Sequence, residues 1–178
     1  MKKYLSVIPL FFLLCFVVGC QDKAASAELE KYKAQAAVEE QNKALLTRFY
    51  DAYAKGDVAA LREMCSSDYI GHARAVTLTF DGLVENIKQN MAMFSDIAFI
   101  PEDVVAKGDK VIVRYIAKGT HTGELAGMSA TGKKIEITGI SVDRVENGKI
   151  VEDWDASDNL GIFEQLGFEL KPKEEKKK

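Results

Sequence analysis

Residues 134–158 read KIEITGISVDRVENGKIVEDWDASD, and the folding of this stretch decides what kind of domain the chain forms. Ile, Val and Thr recur in both halves, and Asn147-Gly148 between them supplies residue types that accept positive φ. The stretch therefore reads as two β-strands joined by a tight turn. Its second half ends in acids around Trp154, the one tryptophan of the chain. With Glu146-Asn147-Gly148 as a three-residue loop, Val145 pairs with Lys149 and Ser141 faces Asp153. Side chains alternate along a strand, so this register puts Ser141, Asp143, Val151, Asp153 and Asp155 on one face. Ile140, Val142, Ile150, Glu152 and Trp154 fall on the other. A slip of one residue would exchange part of the set.

Working outward, residues 97–106, 110–120, 133–146 and 149–155 all predict strands. They are separated by Gly108-Asp109, a glycine-bearing loop near residues 122–132 and Asn147-Gly148, and such short connections favour antiparallel neighbours. Before residue 96 the period is helical. Leu45, Phe49, Ala52 and Tyr53 share one face of a helix that Gly56 terminates. Asp57 caps a second, short helix with Val58, Leu61 and Cys65 along its inner side. Residues 69–76 are extended and carry His72, and Asp81 caps a third helix with Val84, Ile87, Met91 and Phe94 as its buried stripe. Residues 159–166 form a last helix, with Asp158 as its cap and Gly167 at its end. Helices gathered ahead of antiparallel strands predict an α+β domain, with the helices on one face of a bent sheet.

Of the 178 residues 47% are hydrophobic and 29% charged, which suits one globular domain with extensions. The net charge is −3 and argues against a nucleic-acid partner. Lys2 and Lys3, the apolar run of residues 5–18 and the small-residue site ending in Cys20 predict a targeting segment. A cysteine at that place resembles the bacterial lipoprotein signal, which implies acylation of Cys20 and attachment to a membrane of the bacterial cell envelope, with the domain in the aqueous phase outside the cytoplasm. A plain secretory peptide is the alternative. The expected organisation is a signal at 1–19, a partly helical tether at 20–40, a domain at 41–168 and a charged tail at 169–178. Cys65 would then be the sole cysteine of the folded domain, in a small apolar role.

Five segments in consistent order, RFYDAYAKGD (48–57), DYIGH (68–72), GTHTGEL (119–125), ATGKKIEITGI (130–140) and VENGKIVEDWD (145–155), resemble the SnoaL-like polyketide cyclases, also called ester cyclases. The resemblance covers roughly residues 41–168. It implies the nuclear transport factor 2-like fold, a cone of curved sheet wrapped around helices and enclosing an apolar pocket, dimeric through the outer sheet face. It also implies acid/base chemistry in an intramolecular aldol closure, without metal or organic cofactor. By motif position, Asp155 corresponds to the aspartate that acts as general acid/base. The family's histidine on the preceding strand falls on Ser141, and a serine donates a hydrogen bond but does not move a proton near neutral pH.

Asp155 is accordingly the candidate catalytic residue, its pKa expected to rise through apolar walls and the nearby Asp153 charge. The structural alternative is a helix-capping carboxylate. Ser141, Asp153, Tyr53 and Tyr69 are candidate pocket residues, and His72 and His121 are candidates for its mouth. No pair with metal-ligand spacing stands out. Trp154 alternates away from Asp155 and suits sheet packing or a dimer contact. Two functions remain: a membrane-anchored, cofactor-independent enzyme acting on a small carbonyl compound or ester, and a non-catalytic module binding a small hydrophobic molecule or an envelope protein.

Overall fold

The computed structural model of the chain describes residues 8–73, 76–169 and 171, and side chains from residue 23 onward. The start of the expected signal, the Cys20 side chain and nearly all of the expected charged tail lie outside the described residues. The elements run α1 (Ile8–Lys55), α2 (Val58–Met64), β1 (Cys65–Ala73), β2 (Val76–Leu78), α3 (Phe80–Met93), β3 (Phe94–Lys107), β4 (Lys110–His121), β5 (Lys134–Glu146), β6 (Lys149–Ser157) and α4 (Asn159–Leu166). Two compact units divide the chain, Met1–Val38 and Glu39–Lys178. The first holds the beginning of α1, where Leu29, Tyr32 and Val38 are exposed. Among the described residues no helix is long and apolar enough to cross a membrane.

In the second unit the strands form one curved sheet in the order β2-β1-β6-β5-β4-β3. The pairs are antiparallel except β1 with β6, which is parallel. Its curvature has local causes: the register shifts between Ser95 and Ala98 and between Pro101 and Asp103 on β3, and on β1 between Cys65 and Ile70. Extra residues of this kind bend a strand and raise its twist. β5 shows the patterning that binds sheet to core, because Ile135, Ile137, Ser141, Asp143 and Val145 are buried while Lys134, Glu136, Thr138 and Ile140 face solvent.

The helices fill the concave side. Leu46 of α1, Leu61 of α2 and Ile87 of α3 meet Val111 and Val113 of β4, Val145 of β5 and Ile150 of β6 in the main core, all seven almost fully buried. A second cluster gathers Phe94, Ile135 and Leu166, with Ile162, Leu125 and Met128 against it. Ile135 and Val145 lie near opposite ends of β5, so the two clusters leave the middle of that strand between them. Asn42 donates to the Gly108 carbonyl at 3.3 Å and the Gly108 N–H donates to Glu39 at 2.9 Å, tying α1 to the β3–β4 turn.

Several local expectations shift. Thr79, not Asp81, caps α3, its hydroxyl accepting from the Gly82 N–H, and Asp81 sits in the first turn. Starting the helix at Phe80 sets its phase, so Phe80, Leu83 and Ile87 form the buried stripe, Met91 is exposed and Phe94 opens β3. Cys65 starts β1 rather than lining α2, and Val58 faces solvent. Of residues 69–76, expected as one extended segment, 69–73 belong to β1 and Val76 opens β2, while 74 and 75 lie outside the described residues. Asp57, Asp158 and Gly167 cap their helices as the sequence predicts.

The hairpin itself needs the largest correction. Asn147 and Gly148 both have positive φ, 51° and 72°, which makes a two-residue type I′ turn. Glu146 therefore pairs with Lys149 and Val145 with Ile150, so Ile150 points into the core. Val151 is then an extra residue, because Arg144 pairs with Glu152. The bulge restores the phase for the rest of β6: Asp143 faces Asp153 and Ser141 faces Asp155. The expected grouping of Ser141, Asp143, Asp153 and Asp155 stands, but the odd residue that produces it sits at Val151 and not in the turn. Gly148→Ala should destabilise the domain by about 1–2 kcal/mol, the cost of left-handed backbone at a residue bearing Cβ. Urea unfolding measures this, and an unchanged midpoint would contradict the type I′ geometry.

Candidate functional site

The middle of the concave face holds a cavity of about 190 Å³, far more than the 10–15 Å³ or so that one buried water needs. Phe49, Phe99, Ile97 and Ile137 give it apolar walls, and Asp143, Asp153 and Asp155 supply three carboxyls from the β5–β6 hairpin. Each acid receives a hydroxyl. Tyr115 of β4 donates to Asp155 Oδ2 at 2.6 Å. Tyr69 of β1 donates to Asp153 Oδ1. Ser141 donates to Asp143 Oδ2 at 2.6 Å, and Tyr50 of α1 donates to Ser141 Oγ at 2.8 Å.

Glycines make room for these pairs. A Cβ on Gly139 would lie 2.3 Å from the Tyr115 ring, and one on Gly71 would lie 2.7 Å from both the Tyr69 hydroxyl and Asp153 Oδ1. Gly139 is the Cα partner of Tyr115 across the β4–β5 ladder, so the strand gives up a side chain where the phenol crosses it. Tyr115 also packs with Tyr50 and Phe99, ring centroids 5.2 and 5.4 Å away. On the helical wall Tyr53 donates to Asn86 Oδ1 at 2.9 Å and accepts from Asn90 at 2.8 Å, a polar network built from an i, i+4 pair on α3.

Burial sets the charge states. Loss of water pushes Asp143 up to about 8, the charges of Asp153 and Asp155 push the same way, and the Ser141 bond opposes them. Asp153 rises to about 6, chiefly through burial, with the Tyr69 bond resisting and the Asp155 charge assisting. The phenols of Tyr50, Tyr69 and Tyr115 are raised well beyond their ordinary range, burial again leading. Tyr53 is pushed up to about 12 by burial. The tyrosines therefore act as hydrogen-bond donors that keep their protons, and Asp143 carries a proton at neutral pH.

Of the residues singled out in the sequence, Asp155, Asp153, Tyr53 and Tyr69 line the cavity. Ser141 is fully buried and reaches the cavity through Asp143. The two histidines depart from expectation. His72 sits on the outer face of the sheet, where it stacks on Trp154 at 5.2 Å and bonds Glu152 at 2.9 Å. The reason is register: His72 pairs with Trp154 across the parallel β1–β6 ladder and shares its outward face. His121 is fully buried near Phe94, its Nδ1 accepting from the Thr131 N–H at 3.3 Å, and is not part of the cavity wall. Cys65 is buried with its thiol pushed up to about 12 by burial, so it suits packing rather than nucleophilic work.

Sequence reasoning passed over Asp143 as a site residue, although alternation had placed it beside Ser141. It also passed over Tyr115, whose signal is only an aromatic residue on the inward phase of β4. Among the described residues no group of three His, Cys, Asp or Glu side chains is arranged to hold a metal ion.

Comparison with known proteins gives this arrangement a lineage. The SnoaL-like polyketide cyclase family matches residues 43–166. The aklanonic acid methyl ester cyclases DnrD of Streptomyces peucetius and DauD of Streptomyces sp. strain C5 are each 36% identical over 75 residues, 42% of this chain. That match covers 52% and 47% of their own sequences, so the chain spans about half the length of these curated relatives. IdmH of Streptomyces antibioticus, assigned as a polyketide cyclase, is 32% identical in structural superposition with a TM-score of 0.64, over 70% of this chain and 96% of its own. TsrD of Streptomyces laurentii superimposes with a TM-score of 0.66 at 27% identity, over 72% of this chain and 96% of its own. With its nuclear transport factor 2-like cone and its continuous match from α1 to α4, the chain belongs to the SnoaL-like polyketide cyclase family.

Proposed function

We propose that the cavity takes a small, largely apolar carbonyl compound or ester, and that Asp155 moves a proton at the carbon beside the carbonyl in a cyclase- or isomerase-type reaction. The observation that carries this reading is the placement of Asp155 on the cavity wall, with Tyr115 fixing one oxygen at 2.6 Å. A proton abstracted next to a carbonyl needs a carboxylate within hydrogen-bond reach and shielded from bulk water. The Tyr115 bond orients the half-buried Asp155, while the aromatic walls offer an apolar substrate a contact surface. The reaction needs nothing beyond the side chains already in the cavity. Anchoring through Cys20 belongs to the same reading and would keep the cavity near a membrane, where apolar compounds concentrate.

A binding role without turnover uses the same cavity. It is favoured by one observation: both histidines lie outside the cavity, so no imidazole is there to share the proton traffic. Turnover separates the two readings. The full chain in detergent, tested against a panel of aryl ketones and methyl esters, should convert at least one compound, and Asp155→Asn should slow that conversion by about 100- to 10,000-fold. Turnover unchanged in Asp155→Asn would remove Asp155 from the chemistry.

Stability supplies a second check. The carboxyl of Asp143 holds its proton more tightly folded than unfolded, so the native state binds more protons between the unfolded value of about 3.9 and the folded value of about 8. Stability is lost as pH rises through that window. Thermal unfolding should show Asp143→Asn gaining on the unaltered chain as pH climbs from about 4 towards about 8. A constant difference would mean that Asp143 ionises normally. For the anchor, labelled palmitate should enter the chain expressed in a bacterium but not Cys20→Ala. Equal incorporation into both would exclude Cys20 as the acylated residue.

A further inference from the structure

We propose that Asp143 is the second proton carrier of the cavity, a general acid that gives a proton to the substrate's carbonyl oxygen while Asp155 takes one from the adjacent carbon. The inference rests on the reading of Asp155 as a base. Its ground is geometric. Asp143 is 2% exposed yet contributes to the cavity wall, and its Oδ2 is pinned by Ser141, which is pinned in turn by Tyr50. In the β5–β6 ladder Ser141 faces Asp155 and Asp143 faces Asp153, so Asp143 and Asp155 are diagonal neighbours on one face. Diagonal positions of an antiparallel pair lie about 7–8 Å apart. A C–H beside a C=O, hydrogen-bonded at both ends, fills a span of that order.

The surroundings divide the roles. Asp143 is faced by Ser141 on its own strand, Tyr50 from α1, Cys65 and Tyr69 from β1, and Asp153 and Asp155 from β6. The ionisable carboxyls around it are negative when charged, so each favours the neutral form of Asp143. Burial acts in the same direction. A buried carboxyl whose neutral form is favoured is suited to giving up a proton to a developing oxyanion. Asp153, more exposed and already held by Tyr69, is the weaker candidate for carrying the proton.

The step balances within the two residues. The Asp155 carboxylate takes the α-proton, the C–H pair becomes the C=C bond of an enol, and the C=O π pair goes to oxygen, which receives the Asp143 proton. When the enol carbon attacks an acceptor carbonyl, the acceptor oxygen takes the proton from Asp155, and the re-forming ketone returns its O–H proton to Asp143. Ser141 is a positioning residue in this scheme. It orients the carboxyl that moves the proton.

The test follows exchange of the methyl protons of acetophenone with heavy water by NMR, using the full chain in detergent. Exchange should be accelerated by the unaltered chain, lost in Asp155→Asn and slowed about 100-fold in Asp143→Asn, with Ser141→Ala slower and its pH–rate profile displaced on the alkaline limb. Exchange by Asp143→Asn at the full rate, beside an inactive Asp155→Asn, overturns this inference and leaves the base assignment standing. No acceleration by the unaltered chain overturns both. Infrared spectra of isotope-labelled aspartate give a readout without turnover: a neutral-carboxyl band at neutral pH should be missing in Asp143→Asn and shifted in Ser141→Ala. If Asp143→Asn fails to fold, the Ser141→Ala band decides, and an unmoved band overturns the assignment.

Discussion

A carboxyl taken out of water must find hydrogen-bond donors, keep its proton or destabilise the fold, and three carboxyls on one concave face multiply that demand. Much of the architecture answers it. Tyr50 comes from α1, Tyr69 from β1 and Tyr115 from β4, so three separate elements each deliver a hydroxyl to the hairpin. The two glycines give up their side chains so that two of these phenols can reach. Buried apolar residues on both flanks close the space around them. The cavity is thus a place where hydrophobic burial and polar satisfaction are solved by the same residues, and the unequal proton affinities of Asp143 and Asp153 follow from that solution.

How far this was legible in the chain varies by element. The helix from residue 45 onward, the cap at Asp158, the run of strands and the α+β class all follow from periodicity and capping chemistry, which act over a few residues. The inward set of Ser141, Asp143, Asp153 and Asp155 was legible for the same reason, since it depends only on parity. The parallel pairing of β1 with β6 was not, because nothing in the residues around His72 announces a partner some 80 positions away. His72 was misplaced on that account: local sequence places a side chain on one of two faces, but only the pairing says which face is concave. Tyr115 was invisible for a related reason, as its role needs Gly139 opposite and Asp155 beyond it, three strands brought side by side.

Ser141 changes meaning once its neighbours are in view. Taken alone it is a serine at the place where the family resemblance implies a histidine. Set between Tyr50 and Asp143, it is the middle of a hydroxyl chain whose far end is a carboxyl.

The bulge at Val151 has a consequence beyond the bend it introduces. If Val151 paired with Arg144 instead of bulging, Glu152 and Trp154 would point inward and both Asp153 and Asp155 would point out. Whether that one residue bulges or pairs thus decides whether the strand offers acids or an indole to the cavity. Because Val151 is the residue left over, its deletion would leave Arg144 opposite Glu152 and the acids facing inward, so the bulge is a reserve of one residue through which the hairpin can absorb the loss of a codon.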